Sequence, residues 1–561
     1  MGLFSTINYI LKHPLNQKSR ASAFWRFVAW QINVRLNQHP IIYSFTERSK
    51  LIIARGMTGA TGNLYCGLHE FNDMSFLLHL LRQEDLFVDI GANIGSYTVL
   101  SAAHVHAQTI SIEPVPKTFQ CLLDNIRINN IQEYVKEYNV ALGAKKGEIN
   151  FTFNLDTVNH VATDMDKHLI KVKMAWVVSH PIQYFSPLLK EMAKEFDLSV
   201  YYLSDASIRG NVDKGFGQSV KWDIPLLDGY RSVFIKNYSW RKSMTNRFLD
   251  LINPGVIRSL LRDRSSIIIV NGWSYFSILI IIVWARMLGK KVWLRAENPL
   301  LQELKKSKRV IFAKRMILQY GLFKLIDRFL FIGSESKQFF MFYGVKEEDL
   351  IFTPYAVDND FFQKRAQQLI PDKWEIKRRL ALPQDSKIIL FVGKYIGKKR
   401  PLDLLTAFQL LEKSDACLVM VGEGELRRQM EEFCHFHSLR SVILTGFVNQ
   451  SRMAEYYACA DVFVMCSGAG ETWGLSVNEA MNFNLPVIVS NTSGCSRDLV
   501  QNSVNGFIVE EGNVGQLKQA MMTVLEGNLL PQRVNEYAKK KLSEYSISSI
   551  VSQLKSAVYG A

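Results

Sequence analysis

No C-x-x-C pair occurs among the seven cysteines of this 561-residue chain. Cys66, Cys121, Cys417, Cys434, Cys459, Cys466 and Cys495 are scattered and odd in number, which argues against a disulfide framework or a zinc ribbon and for a reducing compartment. The one Cys/His cluster, Cys434-His435-Phe436-His437, lacks two further spaced ligands, so no metal is expected. The N-terminus has neither the apolar core nor the small-residue cleavage site of a signal peptide. The longest apolar run, Tyr275 to Ala285, falls short of the about 20 residues that cross a bilayer and reads as a core helix. Short repeats, low-complexity tracts and RNA- or DNA-binding fingerprints are also missing, which weakens nucleic acid as a partner. A cytoplasmic protein is the expectation.

What is present exceeds one hydrophobic core, and three or four domains are expected from length alone. The composition, 48% hydrophobic and 21% charged, is ordinary for a folded protein. A net charge of +15 calls for a partner or a location. Its basic residues gather at Lys305, Lys306, Lys308, Arg309, Lys314 and Arg315, interleaved with Val310, Ile311, Phe312, Met316 and Ile317. That mixture suits a basic amphipathic helix on an anionic membrane surface, and equally a solvated helix face.

Strand-like and helix-like stretches alternate almost throughout, the signature of α/β folds with parallel sheets. Three blocks separate: residues 1–168, 169–367 and 368–561. The later two are similar in size, and each opens with a strand and a loop, as two facing Rossmann-like domains do.

In the first block, "LFVDIGANIGSYTVLSA" is a buried strand, a glycine-rich turn and a helix start. Gly91 and Gly95 let backbone pass close to a ligand beside Asp89, and the next strand ends in Glu113, where a ribose diol would be bound. Together with "HEFND" upstream and "EPVPKTFQCLLDNIRINN" and "NVALGAKKGEINF" downstream, residues 55–155 resemble the FkbM family of AdoMet-dependent methyltransferases. The resemblance implies that Asp89, Gly91 and Gly95 line an S-adenosylmethionine site, that Glu113 holds its ribose, and that Asn139 lies near the adenine. The family's remaining half-sheet is missing, because "DKHLIKVKMAWVVSH" leads straight into the next domain. Truncation predicts a partial Rossmann-like domain with "FVDI" at an unpaired edge and no complete methyl-acceptor site.

The third block carries the strongest chemistry. "FVGKYIGKKRPLDLLTAF" sets Gly393 after a strand and Lys394 and Lys399 five apart, where a loop can clamp a diphosphate with point charges. In "ETWGLSVNEAMNFNLPVIVSNTSG", Glu471 precedes a helix that starts near Gly474, and Glu479 lies along it. Carboxylates only accept hydrogen bonds, so two of them about 12 Å apart suit the sugar hydroxyls and ribose diol at the two ends of a nucleotide-sugar. The order of these elements resembles the GT-B glycosyltransferases of family GT4, the group 1 glycosyltransferases, whose E-x7-E signature stands here as Glu471 to Glu479. The resemblance implies that Lys394 and Lys399 hold the donor phosphates, that backbone at Gly446 and Phe447 faces the base, and that Gly474 and Leu475 face the diphosphate. Trp473 stands for the family's commoner phenylalanine, a change of packing. The last helix is expected to pack back on the first GT-B lobe.

The second block resembles the acceptor lobe of the same enzymes. Ser179, His180 and Gln183 occupy its first loop, where His180 is either an acceptor-side catalytic group or a structural histidine. Arg295 and Glu297 follow a later strand and are expected to point into the cleft. "IIIVNGWSYF", with Asn271 and Trp273, stands where many relatives place a histidine. The resemblance implies retaining transfer of a sugar from a nucleotide donor to a glycan or lipid-linked glycan at the inner face of a bacterial membrane. The alternative is a bifunctional enzyme that also methylates.

Overall fold

A computed structural model describes residues 3–36, 40–54, 57–142, 171–208, 212–213, 218–219, 222–240 and 247–559. The chain divides into two compact units, Met1–Ile170 and Lys171–Ala561. The polar stretch that ends near residue 168, expected as the first boundary, lies outside the described residues.

The N-terminal unit is built on three parallel strands in the order Leu86–Ile90, Gln108–Ile112, Val135–Tyr138. Helices Ser96–Val99 and Pro116–Ile128 fill the connections, and Val99, Leu100 and Leu122 are wholly buried in the core. Strand Leu86–Ile90 bonds to Gln108–Ile112, and no strand among the described residues pairs with its other edge. Leu86, Val88 and Ile90 are 60, 44 and 64% exposed. Among the described residues, Leu86–Ile90 is therefore the outermost strand of this sheet.

The second unit holds two parallel sheets. The first has seven strands in the order Arg231–Phe234, Asp197–Tyr202, Lys173–Val178, Ile267–Asn271, Lys291–Ala296, Arg328–Phe331 and Leu350–Phe352. The second has six: Val442–Gly446, Ala416–Val421, Lys387–Val392, Val462–Met465, Val487–Ser490 and Gly506–Val509. In both, the first strand in sequence lies inside the sheet and the order reverses around it, so the loops at the strands' carboxyl ends open onto a crevice. Strands buried on both faces read as continuous apolar runs, as "KIILFV" does at Lys387–Val392.

The long apolar run forms helix Phe276–Met287, with Ile278, Ile281, Ile282 and Ala285 in the core. Among the described residues no helix is long and apolar enough to cross a membrane. Helix Ile547–Tyr559 returns to the first lobe: Tyr559 stacks on Phe196 at 6.1 Å and Lys555 pairs with Glu195 at 2.7 Å. Ile550 and Leu554 seal the core beneath it. Leu554 is fully buried, so Leu554→Ala should destabilise this unit by about 2–5 kcal/mol, measured by urea denaturation.

Candidate active site

Three lysines and one acid, Glu471, converge after strand Lys387–Val392. A single-turn helix, Gly397–Lys399, folds the loop back so that Lys399 reaches Glu471, 72 residues ahead, and their side chains are hydrogen-bonded as an ion pair. Lys398 Nζ lies 3.8 Å from the same carboxylate. Burial lowers the Lys398 ammonium from its ordinary value; Glu471 opposes that shift, while Lys399 and Lys394 reinforce it. Lys394 thus belongs to the same electrostatic cluster. Glu471 is 7% exposed. Burial alone would raise its carboxyl, but the charges of Lys399 and Lys398 outweigh that penalty and hold it below the usual range.

Glycine shapes the floor of this loop. A Cβ on Gly422 would lie 1.8 Å from the Gly393 carbonyl oxygen, so the two turns touch backbone to backbone. Gly446 ends its strand at φ 79° and accepts from the Gly422 amide at 3.0 Å. Phe447, next to it, sets its ring 6.1 Å from Trp222 of the other lobe. Gly474 takes φ 110°, and a Cβ there would strike Met465 at 2.4 Å; helix Leu475–Met481 starts immediately after it. That helix is only seven residues long, so positive potential in the crevice rests chiefly on the lysines.

Glu479 differs sharply from Glu471. It is 2% exposed and accepts from Tyr457 Oη at 2.7 Å and Gln450 Nε2 at 3.1 Å. Burial raises its carboxyl above the ordinary value, and the hydrogen bonds from Tyr457, Gln450 and Tyr184 only soften the effect. Tyr184, from the first lobe, feels the charge of both glutamates. Where the spacing suggests two open acids, one is held charged by lysines and the other is enclosed by aromatic hydroxyls.

The first lobe covers the pair. Gln302 Nε2 donates to the Glu471 carbonyl at 3.1 Å and to the Thr492 carbonyl at 3.3 Å. Thr472 Oγ1 lies 3.5 Å from Glu297, which is also bonded by Tyr355 Oη. Gln183 Nε2 donates to Gln450 Oε1 at 3.3 Å, joining the first loop to the Glu479 network. His180 sits in that loop with Nδ1 2.9 Å from Ser179 Oγ. Arg295 does not line the crevice: it is 2% exposed, with its guanidinium over Phe185 and Tyr355 at 4.9 and 4.5 Å. Asn271 accepts from Trp176 Nε1 at 2.9 Å, and Trp473 is core, stacked on Tyr545. Lys398, Gln302, Tyr184, Gln450 and Tyr457 escaped the sequence reading. Only Lys398 had a local signal, as the neighbour of Lys399 in "GKK".

In the N-terminal unit the five singled-out residues lie toward the carboxyl ends of the strands, and their polar side chains bond to neighbours within the unit. Asp89 accepts from Thr98 Oγ1 at 2.6 Å, and burial raises its carboxyl. Gly95 adopts φ 88° with Leu122 packed where a Cβ would go, while Gly91, at φ 74°, has no atom within 4 Å of that place. Glu113 is 6% exposed, and its two oxygens take the amides of Asn93 and Val115, each at 2.9 Å. Asn139 Nδ2 donates to the Glu113 carbonyl at 2.8 Å and the Pro114 carbonyl at 3.2 Å. Among the described residues no three potential ligands cluster to hold a metal. In the Cys434–His437 stretch, the His437 ring packs on Phe433 at 4.4 Å.

Two facing Rossmann-type lobes with this loop order define the GT-B fold. Over 70% of this chain and all of theirs, the coordinates match Anabaena HepE solved with UDP and glucose, at TM-score 0.53 and 14% identity. Residues 372–541 match the family described as glycosyl transferases group 1. An uncharacterised glycosyltransferase of Methanocaldococcus jannaschii is 31% identical over 185 residues, covering 32% of this chain and 47% of that protein. The UDP-Gal:alpha-D-GlcNAc-diphosphoundecaprenol alpha-1,3-galactosyltransferase of Escherichia coli is 26% identical over 191 residues, covering 33% and 48%. The chain spans about half or less of the length of the curated relatives it matches.

Because the folded Glu479 carboxyl is raised above its ordinary 4.5, its stabilising contribution is present below that pH and lost as pH rises through the raised value. Once ionised, the buried Glu479 carboxylate is a burden that a neutral amide lacks. Glu479→Gln should therefore melt above the wild type at pH 8, by about 2–4 °C for a change of about 1 kcal/mol, in a thermal scan.

Proposed function

We propose that this chain is a retaining glycosyltransferase that moves a sugar from a nucleotide-diphosphate donor to a hydroxyl acceptor in bacterial surface-glycan assembly. The observation that carries the reading is the enclosed Lys399–Glu471 pair, with Lys398 and Lys394 beside it, in the crevice between two Rossmann-type lobes. The GT-B fold and the group 1 match over the same lobe support it. The donor is substrate, and its two charged or hydroxylated ends meet complementary groups here. A diphosphate beside Lys394, Lys398 and Lys399 gains three cations, and a sugar hydroxyl beside Glu471 gains an acceptor.

The costly event is departure of the nucleoside diphosphate as the sugar takes on oxocarbenium character. Lysine charge fixed in a crevice largely shut from water stabilises the negative charge as it builds on the leaving oxygen. The acceptor hydroxyl attacks from the leaving-group side. The bond from C1 to the diphosphate oxygen breaks, a bond from C1 to the acceptor oxygen forms, and the acceptor's proton passes to the departing diphosphate. This route retains configuration and requires no side-chain nucleophile. Gln302 and Glu297 hold the donor loop from the opposite lobe, so lobe closure and donor positioning are one event. His180, on the acceptor side of the crevice, is assigned to acceptor binding. A lipid-linked glycan acceptor is the reading favoured by the galactosyltransferase relative, whose name contains a diphosphoundecaprenol substrate.

Methyl transfer is not added to this reading, since Glu113 and Asn139 are engaged within the N-terminal unit. Glu471→Ala and Lys399→Ala should each lower sugar transfer by about 10²–10³-fold with the far-ultraviolet spectrum unchanged. The check is mass spectrometry of product across UDP-, GDP- and ADP-sugar donors, and wild-type turnover by either variant would refute the assignment. Titration of the full chain with S-adenosylmethionine should give no saturable heat; a stoichiometric isotherm would restore the bifunctional alternative.

A further inference from the structure

A cavity of about 950 Å³ is lined by residues of both lobes, and none of Lys394, Lys398, Lys399 and Glu471 is among them. Its size falls within the range of small-molecule sites, about 300–1,000 Å³. Two helices begin at its wall, Asn359–Leu369 from the second lobe and the returning Ile547–Tyr559 on the first. Both starts are built alike. A side-chain cap takes the third amide: Asp358 accepts from Phe361 at 3.0 Å, and Ser546 Oγ accepts from Ser549 at 3.1 Å. The fourth amide bonds to the capping residue's own carbonyl, at 3.1 Å from Phe362 and 3.2 Å from Ile550. The first two amides of each helix have no partner within the helix and are left for solvent or a ligand.

Acceptors face the same space. Gln183 lines the cavity and is 8% exposed; its Nε2 donates to Gln450, but its Oε1 accepts from nothing among the described residues. A buried acceptor without a donor is costly, and a donor entering beside it would remove that cost. Asp228 and Asp360 add carboxylates with no ion pair among the described residues. At the far end the charges cancel, since Lys194 pairs with Glu191 at 2.6 Å and Lys555 with Glu195 at 2.7 Å. What remains is Lys190 against three aspartates, an acidic balance in a chain whose net charge is +15.

This mixture selects a ligand class. A phosphate or nucleotide only accepts hydrogen bonds from such a site and is repelled by Asp228 and Asp360. An amine only donates, and it would face Lys190 and the helix amides. Hydroxyl groups donate and accept at once, without charge. Phe361 and Pro225 supply apolar wall for the carbon face of a ring. We propose that the cavity is a second carbohydrate site, which binds an uncharged saccharide away from the donor lysines. That the saccharide is a stretch of the glycan being extended, remote from its reacting hydroxyl, rests on the transferase reading given above; saccharide binding itself does not. Gln450 also lines the cavity and donates to Glu479 at 3.1 Å, so an occupant adjoins the network that joins the lobes.

The test is saturation-transfer NMR on the full chain without sugar nucleotide, with lactose, maltotriose and N,N′-diacetylchitobiose as probes. At least one probe should give a saturable signal. Ser552→Trp, which fills the cavity from an exposed position of the returning helix, should weaken that binding by about tenfold or more, and Asp360→Ala by about threefold. Both variants should melt with the wild type; if Ser552→Trp melts earlier, Asp360→Ala decides alone. Glu471→Ala should bind the saccharide as the wild type does, which separates this site from the transferase chemistry. The proposal is overturned if no probe binds, or if the folded cavity variants bind as tightly as the wild type. It is equally overturned if inorganic phosphate or spermidine at equal concentration displaces the saccharide.

Discussion

A carboxylate as enclosed as that of Glu471 cannot remain charged by itself, and the second unit is arranged so that it need not. Removal of a charge from water costs far more than the margin by which a domain folds, unless an opposite charge comes with it. Lys399 is that charge, brought in by the tight Gly397–Lys399 turn and seconded by Lys398. The arrangement places constraints on everything near it. The Gly393 and Gly422 backbones must touch for the loop to sit low enough, and Gly474 must take a left-handed turn to end the segment that bears the acid. A pair that serves only stability could be replaced by well-packed apolar residues at little loss. Here the pair lies in a crevice with Lys398 and Lys394 at hand, an excess of positive charge that pairing with Glu471 alone does not require.

The contrast with Glu479 sharpens this. Both acids come from one short segment and both are buried, yet their environments push their proton affinities in opposite directions. Lysines surround one; Tyr457, Gln450 and Tyr184 surround the other. Divergent environments for neighbouring acids mark a division of labour. Glu471 faces the cationic cluster, while Glu479 ties both lobes into one hydrogen-bond network through Gln450 and Gln183.

What the sequence made legible was whatever the chain writes locally. Alternating apolar runs foretold the parallel sheets, and glycines at strand ends marked the turns. The order of Gly393, Lys394, Lys399, Glu471 and Glu479 marked the crevice, and the shortened first block gave its exposed edge strand. Partners across the crevice had no such trace. Gln302 meets Glu471 across 169 residues and Gln183 meets Gln450 across 267, and no spacing rule links residues so far apart. Arg295 misled for a related reason. Its position after a strand is right for a crevice residue, but Phe185 and Tyr355 from distant segments capture its guanidinium. Helix Lys308–Tyr320 was half legible: composition revealed the mixture of charge and apolar residues, and only packing revealed which of them face outward.

The two units use one architectural position for opposite ends. Each places an acid near the carboxyl ends of parallel strands, the place where α/β folds bind ligands. In the second unit the acid is matched to lysine side chains on a loop. In the first, Glu113 is matched to the backbone amides of Asn93 and Val115. A carboxylate held by the amides of its own loops braces the turns at the ends of these strands. Position in the fold is thus shared by the two acids, and the partner each one keeps decides which of them is free to act on a substrate.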